Sequence, residues 1–386
     1  MDGEAKAESI FEFLTARNPD IHYQTPHSKS LTTVRNSLYP RQLKTWDEFS
    51  FSTLETVYGR RLIDEARKGR SSLAYPSVLA TIDDVVHDEP TTTHALTVWN
   101  HRIVATSLQA VQGTLHPSIW VPRRRKGQHE TDKKTTKEST RLEPDAGAVS
   151  ICQNCCSETE RLPKDYKVAS KWRSSAIFGG WMTGKAGKWT PGQASKPEAK
   201  PIRQVYTYCV KFGCRYGCII TTQEAFIFRI KLRTEVSVAD ANGDSSRDEA
   251  ALRQALSTNG LMEYVSIPWE NHRQGSSNEY RALTVNLALW FVHILAGNAH
   301  EVDWNYPNLW EEHLATGVCT TNDASENSEP ETDREDSEPP QARRSFKLGS
   351  YSKKRRRDSG VSDDPHYSFA AVFESFTTQV PLLSLQ

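Results

Sequence analysis

The longest apolar run in the chain, Leu283 to Gly297, most tightly constrains how it can fold. The run is shorter than the ~20 residues a membrane span requires. A helix that is apolar on every side has to be buried inside a protein core. The run, which contains Asn286 and His293, therefore reads as a buried helix over 283–296. The rest of the chain is dilute by comparison. Hydrophobic residues make up 37% of 386, and mean hydropathy is −0.63, which predicts a folded centre interrupted by polar segments.

Charge is balanced, with 48 Lys and Arg against 48 Asp and Glu, so no global field draws in an anionic partner and any such role falls to local patches. The N-terminus, Met1-Asp2-Gly3-Glu4, has no apolar signal run. Seven cysteines, an odd number, in a chain read as non-secreted point to a reducing compartment. No membrane partner is expected.

Around the apolar helix the pattern is mixed α/β. Ile10, Phe11, Phe13 and Leu14 predict a short helix, and 46–66 a packed helical segment. A helix is predicted over 94–111, capped within Thr91–Thr93. Strands are expected at Ser118–Val121, Ala148–Ile151, Leu162–Ala169 and Leu261–Ile267, with a hairpin over 217–221 and 225–230. Ile202 to Phe212 reads as a helix ended by Gly213. The chain divides into a flexible N-terminal arm (1–45), one domain (46–316) and a disordered tail (317–386), acidic and then basic. Polar insertions are read at 123–140, 174–200 and 238–259. The first of these holds Arg123-Arg124-Arg125-Lys126, and the tail holds Lys353-Lys354-Arg355-Arg356-Arg357, a run of the kind that directs nuclear import.

Three short patterns carry the chemistry. Pro144-Asp145 precedes one strand. Asp165-Tyr166-Lys167 lies on the next, where residues two apart share a face, so Asp165 and Lys167 project together. Gln204 and Tyr208, four apart, share one face of a helix. Two carboxylates meeting at a sheet edge can hold Mg²⁺ or Mn²⁺ through oxygen ligands. A lysine beside them can orient a water or steady developing phosphoryl charge. Cys152, Cys155 and Cys156, with Cys214 and Cys218 or a histidine, offer a separate reading as a zinc site or as free thiols.

The ordered set Pro144-Asp145, Asp165-x-Lys167 and Gln204-x-x-x-Tyr208 resembles the signature of the PD-(D/E)XK, or restriction endonuclease-like, nuclease superfamily. The glutamine–tyrosine element is similar to that of its RecB-type exonucleases. Leu162–Trp172, Gln204–Cys209, Tyr216–Thr221, Gly260–Trp269 and Thr284–Trp290 resemble a group of fungal nuclease-like proteins. The resemblance covers about 145–310. It implies a small mixed sheet flanked by helices, Mg²⁺ dependence and a nucleic-acid substrate, DNA favoured. It further implies metal ligation by Asp145 and Asp165, water activation by Lys167, and support from Gln204 and Tyr208. Such nucleases often place an acid on the first core helix, where the helix predicted at 94–111 offers Asn100, His101 and Gln109. The expected function is metal-dependent phosphodiester hydrolysis, with a catalytically inactive nuclease-fold scaffold in the nucleus as the alternative.

Overall fold

The computed structural model describes residues 6–7, 9–24, 37–58, 73–77, 84–112, 115–122, 144–150, 160–233, 249–273 and 282–311. The basic runs at 123–126 and 353–357, Cys152–Cys156 and the C-terminal tail lie outside these residues.

The fold begins earlier than the sequence suggests. Helix α1 (Ile10–Leu14) is capped by Ser9, whose hydroxyl accepts from the Glu12 amide, and it buries Ile10, Phe13 and Leu14. Strand β1 (Gln42–Thr45) pairs in parallel with a later strand of the main sheet. Part of the stretch expected to be a flexible arm is therefore built into the fold: its apolar side chains enter the core and its backbone enters a ladder. Residues 51–58 are helical.

Helix α2 (Glu89–Leu96) runs through a single π turn (Thr97–His101) into α3 (Arg102–Val111). The predicted start at 94 is corrected to 89. Asp88, not Thr91–Thr93, is the cap: its carboxylate accepts from the Thr91 amide while the Thr91 hydroxyl accepts from the Asp88 amide. Pro90 occupies the first turn, where a missing N–H costs nothing.

Strands β2 (Ser118–Val121) and β3 (Gly147–Ser150) pair antiparallel. Strand β4 (Lys164–Tyr166) follows, then a short helix α4 (Ser175–Phe178) and the long α5 (Lys200–Phe212). Gly213 ends α5 at φ 68°, a left-handed cap that suits glycine. Strands β5 (Tyr216–Ile220) and β6 (Glu224–Leu232) form the expected hairpin. Helix α6 (Glu249–Asn259), β7 (Gly260–Pro268) and α7 (Val285–Asn298) complete the chain order.

The main sheet is mixed, in the order β1-β7-β6-β5-β4, with parallel pairs at both edges and antiparallel pairs between. An antiparallel bridge between Ala146 and Lys164 joins the β2–β3 pair to it. Side-chain alternation gives the sheet two apolar faces. Tyr216, Cys218, Ile220, Ala225 and Ile227 point into the core built around α7, whereas Ile219, Phe226, Phe228 and Ile230 point into one built around α5. Helices therefore cover both sides. In α7, Val285 through Gly297 are all buried, as the apolar run requires. Its two polar residues are partnered: Asn286 bonds Asn100 and Asn18, and His293 bonds Ser118. No described helix is long and apolar enough to cross a membrane.

Candidate functional site

Strand β4 carries opposite chemistry on its two faces. Tyr166 points into the α7 core, and Asp165 faces α5. The strand lies parallel to β5, and the amide of Lys167 continues the ladder to the Ile220 carbonyl. Three independent tethers bring the sequence motifs together at its C-terminal end. Asp145, just before β3, accepts the Tyr166 amide at 2.7 Å through Oδ2. The Lys167 ammonium approaches Asp165 Oδ2 to 2.7 Å and donates to the Tyr166 carbonyl at 3.0 Å. Gln204, on the face of α5 turned to β4, donates through Nε2 to Asp165 Oδ1 at 3.1 Å and to the Tyr208 hydroxyl at 2.8 Å. All five residues singled out from sequence thus fall in one cluster.

A sixth residue, missed from sequence, joins them. Glu89 opens α2 and places Oε1 3.3 Å from the Lys167 ammonium. The signal was present in Asp88-Glu89-Pro90, a cap, an acid and a first-turn proline. It was obscured because Thr91–Thr93 are also good cap residues. Asn100, His101 and Gln109 play no part in this cluster. Asn100 joins the buried amide network with Asn18 and Asn286, His101 meets the Trp120 carbonyl, and Gln109 is exposed.

The electrostatics follow from burial and crowding. Asp165 is fully buried. Loss of solvent pushes its carboxyl upward, the Lys167 ammonium pulls it back, and the neighbouring Asp145 carboxylate raises it again, leaving it at about 8. Lys167, also buried, behaves in the opposite way. Burial alone would lower its pKa, but Asp165, Asp145 and Glu89 together outweigh that and hold it above the usual lysine value. Tyr208 is raised by burial and by Asp165. Asp165 Oδ2 and Gln204 Oε1 are buried oxygens with no aligned hydrogen-bond donor. The Lys167 ammonium, 2.7 Å from Oδ2, is the group that pairs it.

Among the described residues, no group of three or more His, Cys, Asp or Glu side chains is arranged to hold a metal ion. The donors that do meet are hard oxygens, the carboxylates of Asp145 and Asp165. That set suits Mg²⁺ or Mn²⁺, which are commonly bound through one or two carboxylates with water and substrate completing the shell. Cys209, Cys214 and Cys218 are buried thiols. Burial raises the Cys209 thiol well above its ordinary range and the Cys218 thiol to about 12, which keeps both protonated and disfavours metal ligation.

Comparisons with protein-family models, with curated protein sequences and with solved structures found no match. The functional reading therefore rests on the residues and geometry of this chain.

Proposed function

We propose that the chain is a nuclease-like protein of the PD-(D/E)XK type, with a restriction endonuclease-like core, that hydrolyses phosphodiester bonds of nucleic acid, DNA favoured. One observation carries the reading. Carboxylates from three separate elements, Glu89 of α2, Asp145 before β3 and Asp165 of β4, gather around the single ammonium of Lys167. Glu89 supports the reading by supplying an acid at the start of the helix, of the kind the resemblance implies and the stretch 94–111 lacks.

Asp145 and Asp165 would hold Mg²⁺ or Mn²⁺. When bound, such an ion supplies Lewis-acid polarisation of a phosphoryl oxygen and a water of lowered pKa. The chain's own groups do the rest. Lys167 sets positive charge beside the reacting phosphate, where negative charge accumulates in the transition state. Gln204 fixes the Asp165 carboxyl through Oδ1, and Tyr208 anchors Gln204 in turn. A nuclear setting, suggested by Lys353–Arg357, belongs to the same proposal.

One feature favours a second reading, a nuclease fold kept as a non-catalytic binding protein. Asp165 and Lys167 are both buried and in direct contact with each other. Cleavage assays on DNA and RNA with and without Mg²⁺ or Mn²⁺ separate the two. The nuclease reading expects metal-dependent products from the wild type and none from Asp165→Ala/Lys167→Ala. Indistinguishable activity of the two proteins would leave the binding reading standing.

A further inference from the structure

Residues 171–200 connect the two halves of the candidate site. They begin four residues after Lys167 and end at the start of α5, which carries Gln204. Residues 174–200 of it read from sequence as an irregular insertion, yet the segment is closely tied to the sheet. Ser174 bonds Glu224 at the start of β6 and Ser266 of β7. Phe178 stacks on Phe226 and on Tyr264, the latter with ring centroids 3.9 Å apart. The Gly187 carbonyl accepts the Leu43 amide of β1, and the Trp189 indole donates to Pro40. The segment therefore crosses from β4 at one edge of the main sheet to β1 at the other. Four strand spacings make that roughly 19 Å.

Its chemistry is one-sided. It contains Lys171, Arg173, Lys185, Lys188, Lys196 and Lys200 against a single acid, Glu198, in a chain of zero net charge. Arg173, Lys185, Lys188 and Lys196 are exposed. Lys171 lies at the end nearest the site, where its charge acts on Asp88, the cap of the helix that carries Glu89. Trp181 stands beside the Gly179-Gly180 turn with half its surface exposed. A cleft of about 760 Å³ runs alongside, between Phe178, Gly180 and Lys185 on this segment and Lys44 on β1. Exposed tryptophans occur elsewhere, but Trp304, 39% exposed, lies beside Asp303 and Glu301, and Trp310, 57% exposed, is followed directly by Glu311.

From this arrangement we infer that residues 171–200 form a binding ledge for single-stranded nucleic acid. The lysines and arginine track its phosphates, and Trp181 stacks on an unpaired base. A path of roughly 19 Å accommodates about five phosphates at the ~3.4 Å per-strand spacing of stacked nucleic acid. Base stacking on an aromatic ring tolerates any sequence but requires a base free of its pairing partner, which sets single strands apart from duplex. The inference rests on the proposed function for the direction of the strand, which leads from Trp181 towards Lys167, but not for binding itself.

The test is fluorescence anisotropy of the full chain with a labelled oligothymidylate and with a duplex of equal length, in EDTA so that nothing is cut. The single strand should bind more tightly. Trp181→Ala should weaken it roughly 5- to 150-fold and leave duplex binding unchanged, while Trp310→Ala should have no effect. Lys185→Gln/Lys188→Gln should flatten the salt dependence of single-strand binding by about 1 to 2 in log–log slope. Equal binding of duplex, or single-strand binding indifferent to Trp181→Ala, overturns the ledge. If Mg²⁺ then yields no cleavage while Trp181-dependent binding persists, the nuclease reading fails and the ledge stands. If cleavage occurs while single-strand binding is indifferent to Trp181→Ala, the ledge fails and the nuclease reading stands.

Discussion

Lys164 and Lys167 are three residues apart, both buried, and face opposite sides of the sheet with opposite consequences. Lys164 points towards the α7 core, donates to the carbonyls of Gly147 and Leu162, and lies 5.1 Å from the centre of the Trp120 ring. Burial lowers its pKa to about 8, with only partial relief from Cys218 and Glu160. Lys167 points among carboxylates, and its pKa is raised. Burial is common to both, so the neighbouring charge decides the outcome. A lysine held by carbonyls braces the junction of β3 and β4. One held by acids from three elements marks a place where charge has been gathered at a cost in desolvation, and such places are enriched in function.

The comparison can be broken first at the acids. Asp165→Asn should reduce metal-dependent cleavage by on the order of 10³-fold, because it removes both a proposed metal ligand and the partner of Lys167. Lys167→Met should cost about 10²–10³-fold in rate. It should also destabilise the protein more at pH 8 than at pH 5. Without the ammonium, Asp165 holds its proton more tightly in the folded chain than in the unfolded one, so stability falls as pH rises, and urea midpoints at the two pH values check this. The wild-type rate should climb with pH towards about 8, since Asp165 has to ionise before it can serve as a ligand and its pKa is raised to about 8. A flat profile between pH 5.5 and 8.5 would remove Asp165 from that role.

Smaller effects sharpen the contrast. Glu89→Gln should lower the rate by about 10-fold, an effect of one partly exposed charge acting on Lys167. Tyr208→Phe should cost only a few-fold, the worth of one hydrogen bond to Gln204. On the opposite face, the folded chain holds fewer protons on Lys164 than the unfolded chain between about 8 and ~10.4, so Lys164 contributes a rise in stability with pH across that window, against the fall contributed by the raised Cys209 and Cys218 thiols. Lys164→Met should abolish that rise, as urea midpoints at the two ends of the window will show.

How much of this was legible in the sequence depended on periodicity. The run Leu283–Gly297 announced α7, and the apolar runs at 217–221 and 225–230 announced β5 and β6, because burial on both faces leaves an unbroken apolar signal. Asp165 and Lys167 could be placed on one face from the two-residue repeat alone, and Gln204 and Tyr208 from the helical repeat. Glu89 could not be placed so easily. The competition between Asp88 and Thr91 for the cap is settled only when Asp88 accepts the Thr91 amide, which moves the helix start by five residues and brings an acid to Lys167. β1 was equally hidden: Gln42–Thr45 has one buried side chain, Leu43, and its membership of the sheet depends on β7, more than two hundred residues away. The 171–200 segment reads as loop because its anchors are single residues, Ser174, Phe178 and Gly187, spread without a period.

The most direct measurement is a parallel assay of Mg²⁺-dependent cleavage by wild type, Lys164→Met and Lys167→Met, each shown to be folded. The account predicts that Lys164→Met cuts at the wild-type rate within about twofold and that Lys167→Met loses about 10²–10³-fold. Equal losses in both variants, or none in either, would contradict the assignment of chemistry to one face of β4.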